Sequence, residues 1–500
     1  MMRFPGKPEN EEGKAWPAIL IGMFVAFGGV LFGYDTGTIS GIQAMEYWQA
    51  LFSTGYVNSK GHLDISPSQS SAVVSILSAG TFFGALSSPL FADTIGRRYA
   101  LIFSCIVFNL GVILQTAAMA LPLFLAGRFF AGLGVGLLSA VVPLYQSETA
   151  PKWIRGAIVG AYQLAITIGL LLAAIVDYAT ANRQDTGSYR IPIAVQFAWA
   201  IILIGGMLIL PETPRFLVKK DKYESAAHSL CKLRRLTPES ASIQAELEEI
   251  RANHEFEMTL GKASYIDCFR AQMLKRQLTG MGLQALQQLT GINFIFYYGT
   301  QYFKNSGIQD AFTIQMITSC INVVSTLPGL WAVDRFGRRP LLLWGAVGMC
   351  ASQFLVAMLG TLTTSQDGAG NIIVYNVAAQ KAGIAARGLS MTTATNWLLN
   401  WAIAYATPYL VNYGPGYANL QSKIFFIWFG CCFICIAFVY FFIYETKGLS
   451  LEEVDELYAE VKLANKSAKW TPTSTFRQRK QGAGEGVVAS EKMIHTHQDE

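Results

Sequence analysis

Stretches of about 20 apolar residues, separated by short charged or turn-rich blocks, run along almost the whole chain; a stretch of that length crosses a bilayer as a helix. Eleven such spans are predicted, near residues 18–39, 71–91, 100–120, 122–144, 157–180, 191–210, 279–303, 312–333, 340–362, 389–411 and 421–443. A polar stretch at 211–276 separates the first six from the rest. The chain therefore reads as an all-α integral membrane protein. It comprises a cytoplasmic N-terminal tail (1–17), a six-helix bundle (18–210), a cytoplasmic helical linker (211–276), a second bundle (277–444) and a cytoplasmic tail (445–500). Helix formers and alternating-sign charges across 238–258 predict short surface helices in the linker. The tail turns rich in Ser, Thr, Gln and Gly, and disorder is expected beyond about residue 470.

Composition narrows the class. Hydrophobic residues make up 52% of the chain and charged residues only 14%, which is not the balance of an ordinary soluble enzyme. The net charge of +5 matters less than its distribution. Lys and Arg gather at 97–98, 152–155, 219–235, 270–276 and 335–339 and in the tail, while the alternate connections carry few. The positive-inside tendency places that set, the N-terminus and the linker in the cytoplasm. This basicity sets topology and leaves no nucleic-acid footprint. The first span follows a polar start without a small-residue cleavage pattern, so it reads as an anchor. No cysteine falls in a predicted outer loop, and Cys431, Cys432 and Cys435 read as packing residues in an aromatic-rich span, not as a metal site.

An internal repeat relates the two bundles. The hexapeptide DTIGRR (93–98) recurs as DRFGRR (334–339), each after the second span of its half. PETPRFL (211–217) is echoed by YETKGLS (444–450), each after the last span of its half. Repeats of this kind, with a site at their interface, build secondary transporters.

Polar residues inside the spans carry the candidate chemistry. Asp35 is the lone acid in the apolar run from Ile19 to Ile39, where a carboxylate costs roughly 2.5–3.5 kcal/mol on insertion scales. Arg128 opens the fourth span and, with Asp177, is the other strong charge in the apolar regions of the first bundle. If Asp35 and Arg128 meet in one state and part in another, the acid takes up a proton as the pair opens. A static ion pair that fixes helix packing is the alternative. Gln287, Gln288 and Asn293 cluster in one span, and Gln163, Asn322 and Asn396 are further lone amides. A carboxamide both donates and accepts, which matches a sugar hydroxyl; amides also serve as glue between membrane helices. Asn400 reads as such a packing amide.

Charged motifs at the cytoplasmic helix ends follow a different logic. Asp93 is matched with Arg97 and Arg98, Glu148 with Arg155, Glu212 with Arg215, and Asp334 with Arg338 and Arg339. Directional Arg–carboxylate pairs across two bundles could lock one side shut, whereas ordinary solvated charge is the plainer reading.

These stretches resemble a known family. GYDTGTISG (33–41), GRRYAL (96–101), GRFFAGLGVG (127–136), PLYQSETAPKWIRG (143–156), PETPRFL, QQLTGINFIFYY (287–298), DRFGRRPLL (334–342) and ETKGLSLEEVDELY (445–458) are similar to sugar porters of the major facilitator superfamily, most closely fungal monosaccharide (hexose) transporters. The resemblance implies a major facilitator fold of two six-helix bundles, and transport of monosaccharides by alternating access, coupled to protons. Carried over by position, it implies sugar contacts at Phe32, Gln163, Gln287, Gln288, Asn293, Asn322 and Asn396, and proton coupling at Asp35 with Arg128. It implies an inner-side gate built from Asp93, Arg97, Arg98, Glu148, Arg155, Glu212, Arg215, Asp334, Arg338, Arg339 and Glu445. The family contains facilitators that also carry an acid at the position of Asp35, so this residue permits symport without establishing it. The expected partners are a monosaccharide, a proton and the lipid bilayer, with no cofactor, metal or nucleic acid, in a monomer of the plasma membrane. No nucleophile–base set argues for an enzyme. A non-transporting sugar sensor, a facilitative carrier and an inactive truncated variant are the rival readings.

One piece of the family pattern is missing. After the ninth span the family has a tenth, with a Gly-Pro-x-x-Trp stretch, and none occurs here. Family-like sequence resumes at RGLSMTTATNW, as though a span had been cut out between about Gly383 and Arg387. The remaining 372–386 is about 22 Å long as a helix and contains Lys381, short for a ~30 Å core. Eleven crossings would invert the last two spans and put the basic tail outside, against the positive-inside tendency. A skipped exon or gene-model error explains the gap most simply, and the chain as written is expected to transport poorly.

Overall fold

The computed structural model describes residues 14–57, 63–151, 154–259, 271–305, 310–362, 390–411 and 417–470, apart from scattered single positions and short runs. The first half consists of α1 (Trp16–Ala44), the short α2 (Glu46–Phe52), α3 (Pro67–Ile95), α4 (Arg97–Ala117), α5 (Leu121–Thr149), α6 (Arg155–Thr180) and α7 (Gly187–Ile209). The linker folds as α8 (Pro214–Lys219), α9 (Tyr223–Arg234) and α10 (Ala241–Thr259). The second half holds α11 (Ala271–Leu289), α12 (Ile292–Asn305), α13 (Ala311–Phe336), α14 (Arg338–Leu362), α15 (Ser390–Val411) and α16 (Ile424–Phe442), followed by a 3₁₀ turn at Ala464–Lys469. Among the described residues, nine helices are long and apolar enough to cross a membrane by length and composition. The pair α11–α12 and the helix α15 occupy the other two predicted positions.

Local sequence sets the helix ends. Ser66 caps α3 through a capping box: its hydroxyl accepts from Gln69 N at 3.3 Å, its own N–H donates to Gln69 Oε1 at 3.1 Å, and Pro67 follows. Gly96 separates α3 from α4 with φ of +96°, and Gly337 separates α13 from α14 with φ of +93°. The two sequence repeats thus adopt the same corner.

The span predicted across 279–303 is not one helix. It breaks at Thr290–Gly291, where Gly291 has φ of +77°, a conformation that β-carbon-bearing residues rarely adopt. The Thr290 hydroxyl donates to Gln287 O at 2.7 Å, and Gln353 Nε2 of α14 donates to Thr290 O at 3.0 Å. Polar groups freed by the break are therefore paired within protein, as membrane depth requires.

The halves meet along three lines, α3 with α15, α6 with α13, and α1 with α12. Within the first half, α3 and α5 touch backbone to backbone, because Gly132 packs against the Leu77 carbonyl and Gly80 against that of Phe129. Small residues permit this approach where no hydrophobic effect drives helices together.

Chain direction bears on the missing span. Along α15, Asn396, Asn400 and Ala404 meet Gln284, Asn293 and Tyr298 in turn, so α15 runs parallel to α11–α12. Helix α16 returns antiparallel to α14, with Cys432 beside Cys350 and Val439 beside Ala346. Glu445 thereby reaches Arg338 and Arg339. The last two spans are not inverted. Leu362 and Ser390 lie at opposite ends of the bundle, and residues 363–389, with the expected deletion point, fall outside the described residues. So does the tail beyond 470.

Candidate functional site

Five amides and a phenol form one hydrogen-bonded chain in the second half. Asn293, just after the helix break, donates through Nδ2 to both Gln288 Oε1 and Asn400 Oδ1, the latter at 3.2 Å. Gln288 Nε2 donates to Asn396 Oδ1 at 2.7 Å, and Asn396 Nδ2 to Gln284 Oε1 at 2.8 Å. On the other branch Asn400 Nδ2 donates to the Tyr297 hydroxyl at 2.8 Å. The break at Gly291 lets the ends of α11 and α12 present these side chains to α15 together. Asn293 and Asn396 remain half-buried and Gln288 is buried. With both its N–H groups engaged, Asn293 keeps its carbonyl oxygen as a free acceptor.

Two aromatic rings face each other across the halves. Phe32 of α1 meets Trp397 of α15 edge to face, with centroids 5.3 Å apart. Three residues from Phe32, just under one turn, the same helix carries Asp35, whose Oδ1 accepts from Arg128 Nη1 at 3.0 Å. Asp35 is fully buried and Arg128 is 1% exposed, and Gln196 of α7 turns its amide to the same carboxyl. The pair anticipated from sequence is present.

Other expected sugar contacts stand apart from this chain. Gln163 is half-buried on α6 and Asn322 buried on the facing α13. Gln287 is half-buried, with its side chain outside the amide chain described.

Polar contacts between the halves gather at the end away from the linker. Ser40 Oγ and Thr300 Oγ1 are 3.1 Å apart, Gln49 Nε2 donates to Gln301 Oε1 at 3.4 Å, and Lys304 Nζ donates to Ala44 O at 3.1 Å. Ser71 Oγ of α3 donates to Tyr405 O of α15 at 2.7 Å.

The charges at the linker end pair differently from the motif matching. Glu148 binds Arg97, at 2.9 Å, and not Arg155. Arg97 also binds Asp93 at 3.1 Å, and Lys219 binds the second oxygen of Asp93 at 3.0 Å. Arg155 instead faces Arg215, Arg234, Glu246 and Glu249, because the linker helices fold back onto this end. Arg234 anchors them, with Nη2 2.8 Å from Glu246 Oε1 and Nη1 donating to Thr149 O at 3.3 Å. Glu212 does not pair with Arg215, which is exposed. It caps α4, accepting the backbone N–H groups of Arg97 and Arg98 at 3.1 Å each. Glu445 does the same for α14, accepting from Arg338 N and Arg339 N at 3.1 Å each. A carboxylate at a helix N-terminus answers both the orphan N–H groups and the helix dipole. Burial pushes the Glu212 carboxyl above the usual range, opposed by the N–H groups of Thr213 and Arg98. Each of these named contacts lies within one half or joins the first half to the linker. The side chain of Asp334 falls outside the described ones.

The family described as "Sugar (and other) transporter" matches residues 21–458. The chain belongs to this sugar transporter family. It is 65% identical to the major facilitator-type transporter ecdD of Aspergillus rugulosus, with 96% of this chain and 94% of that one covered. It is 44% identical to the probable glucose transporter rco-3 of Neurospora crassa, over 98% of this chain and 87% of that one. Among solved structures, the proton:xylose symporter XylE bound to 6-bromo-6-deoxy-D-glucose is similar, with a TM-score of 0.74 and 25% identity. That match covers 89% of this chain and 100% of the other. The fold is that of the major facilitator superfamily, in a multi-pass membrane protein. The alignment with ecdD runs over 508 positions, more than the 500 residues of this chain, so ecdD carries residues with no counterpart here.

For this sugar transporter, sequence reasoning missed Gln284, Tyr297 and Trp397 and assigned Asn400 to packing alone. Gln284 was detectable: with Gln287 and Gln288 it follows the spacing i, i+3, i+4, which shares a helix face. Asn400 is four residues after Asn396 and shares its face for the same reason. Tyr297 and Trp397 gave no signal, since aromatics are common throughout the spans.

Proposed function

We propose that this sugar transporter carries a monosaccharide, a hexose first of all, across the plasma membrane as a monomer by alternating access, together with a proton. The observation that carries the reading is the amide chain Gln284–Asn396–Gln288–Asn293–Asn400 beside the Phe32–Trp397 rings. Amides that donate and accept match hydroxyls that do both, and ring faces suit the apolar face of a pyranose. The names of rco-3, a probable glucose transporter, and XylE, a proton:xylose symporter, support the same substrate class. No bond is made or broken in the substrate; catalysis in the enzymatic sense has no part in this reading.

The outer end is closed by Ser40–Thr300, Gln49–Gln301 and Lys304–Ala44, while the named contacts of the inner charges lie within one half or with the linker. That arrangement corresponds to access from the cytoplasmic side. Reversal requires the outer contacts to break and Asp93, Arg97, Arg98, Glu148, Arg155, Glu212, Arg215, Arg338, Arg339 and Glu445 to act as an inner gate. Asp35 takes the proton when Arg128 withdraws. Equilibrium binding of D-glucose to the purified protein tests the site: Gln288→Ala and Asn293→Ala are expected to weaken it, and unchanged binding in both would remove the assignment.

A further inference from the structure

Buried polar atoms without partners gather where the charged pair approaches the amide chain. Asp35 Oδ2, Arg128 Nε and Nη2, and Ser78 Oγ are buried and make no hydrogen bond. Ser78, on α3, is fully buried. Buried polar atoms are satisfied in the great majority of cases, so a cluster of unsatisfied ones marks groups that find partners in another state of the protein. The group from the opposite half that faces them is Tyr297. Its hydroxyl accepts from Asn400, faces the Ser78 hydroxyl, and lies within electrostatic reach of Arg128 and Asp35. Having accepted one bond, that hydroxyl still has its proton to donate. The backbone contact of α3 with α5 sets Ser78 in place, since it lies between Leu77, which touches Gly132, and Gly80, which touches Phe129, the neighbour of Arg128.

We propose that Ser78 is a positioning residue that joins the charged pair to the amide chain. It takes the hydrogen bond of the Tyr297 hydroxyl and offers its own hydroxyl to the Asp35–Arg128 pair. A sugar hydroxyl that accepts from the Asn293 amide in place of Asn400 Oδ1 removes one of the two partners of Asn400, which changes the hold of Asn400 on Tyr297. Ser78 passes that change to the carboxylate. Sugar affinity and proton affinity are then linked, and linkage of binding free energies is reciprocal. The groups that face Asp35 are Arg128 from α5, Gln196 from α7 and Tyr297 from α12, whose hydroxyl in turn faces Ser78 from α3. Asp177 of α6 lies further along α1, against Gly41, and acts on Tyr34. Helices α2 and α9 meet α1 at its ends.

The inference rests on the proton-coupled reading above, and the test separates the two. D-glucose binding is measured on the purified full chain from mildly acidic to mildly alkaline buffer, for wild type, Ser78→Ala, Tyr297→Phe, Asp35→Asn and Gln288→Ala. Wild-type affinity is expected to fall as pH rises, by roughly 5- to 150-fold in total, and Asp35→Asn to abolish the dependence. Ser78→Ala is expected to bind glucose with a flat pH profile, and Tyr297→Phe to bind more weakly and also flatly. Ser78→Ala removes one oxygen from a helix and adds no bulk, so folding is not at issue. A wild-type slope retained in Ser78→Ala, whatever its affinity, overturns the inference alone. A flat wild-type profile overturns both the inference and proton coupling. Unchanged binding by Gln288→Ala overturns the sugar site itself.

Discussion

Lys304, near the outer end of α12, donates to the carbonyl of Ala44, the last residue of α1, at 3.1 Å and sits 3.6 Å from Glu46 Oε1. The contact joins the two halves, and it places a cation against the negative end of a helix dipole. Removing the ammonium should favour opening at this end. A hydrogen bond to a charged group contributes about 1.5–3 kcal/mol, so Lys304→Met should shift the opening equilibrium by roughly tenfold or more. The check is a Ser40→Cys reporter, whose reaction with a membrane-impermeant maleimide applied outside should accelerate in the Lys304→Met background. An unaltered rate would show that the contact is incidental.

Gln288→Ala and Asn293→Ala remove central links of the amide chain. Each leaves a neighbour, or a bound hydroxyl, unpaired at a cost of about 1–3 kcal/mol, so D-glucose affinity should fall by roughly 5- to 150-fold. Titration of purified protein by radiolabelled glucose measures this. Trp397 lies beside the chain, so its fluorescence should report the same binding.

Asp35→Asn preserves shape and removes the titrating group. It should abolish accumulation of sugar against a gradient while leaving equilibrative exchange, as read from sugar-induced proton movement in reconstituted vesicles. Arg128→Ala leaves a buried carboxylate uncompensated, which is costly in a low-dielectric interior. That variant should be poorly folded or uncoupled, and adding Asp35→Asn to it should restore thermal stability. Equal sugar equilibration without proton movement in wild type and Asp35→Asn would make the carrier a facilitator.

Topology is open to direct test. Because Glu445 lies with Arg338 and Arg339 at the same end as the linker, tags at the two termini should be protected on the same side of the membrane. Protease protection in sealed vesicles, with tags at residues 1 and 500, should show one pattern for both. Opposite patterns would mean that the last two spans are inverted, as an odd number of crossings requires.

Much of the fold was legible in the sequence because a bilayer imposes a length and an apolar content on every crossing. Nine of the eleven predicted spans, the two halves and the isolation of Asp35 were readable for that reason, and the repeated GRR marked the matching corners. The family motifs gave the positions of the amides as well. The break at Gly291 was not readable, because a helix interrupted by one residue keeps the hydropathy of an unbroken one.

Partnership was the part decided in three dimensions. Spacing along a helix brought Gln284, Gln287 and Gln288 to one face, but only the packing of α15 against the broken helix joined Gln284 and Gln288 to Asn396 and left Gln287 aside. Motif adjacency matched Glu148 with Arg155, whereas the fold brought Arg97 to Glu148 and turned Arg155 to the linker. Glu212 and Glu445 became helix caps because the chain reverses at Gly96 and Gly337 beneath them. Hydrophobic pattern depends on each residue and its near neighbours, so sequence determines it. Hydrogen bonds and ion pairs depend on distances of a few ångström between residues far apart in the chain, and helix crossings alone set those distances.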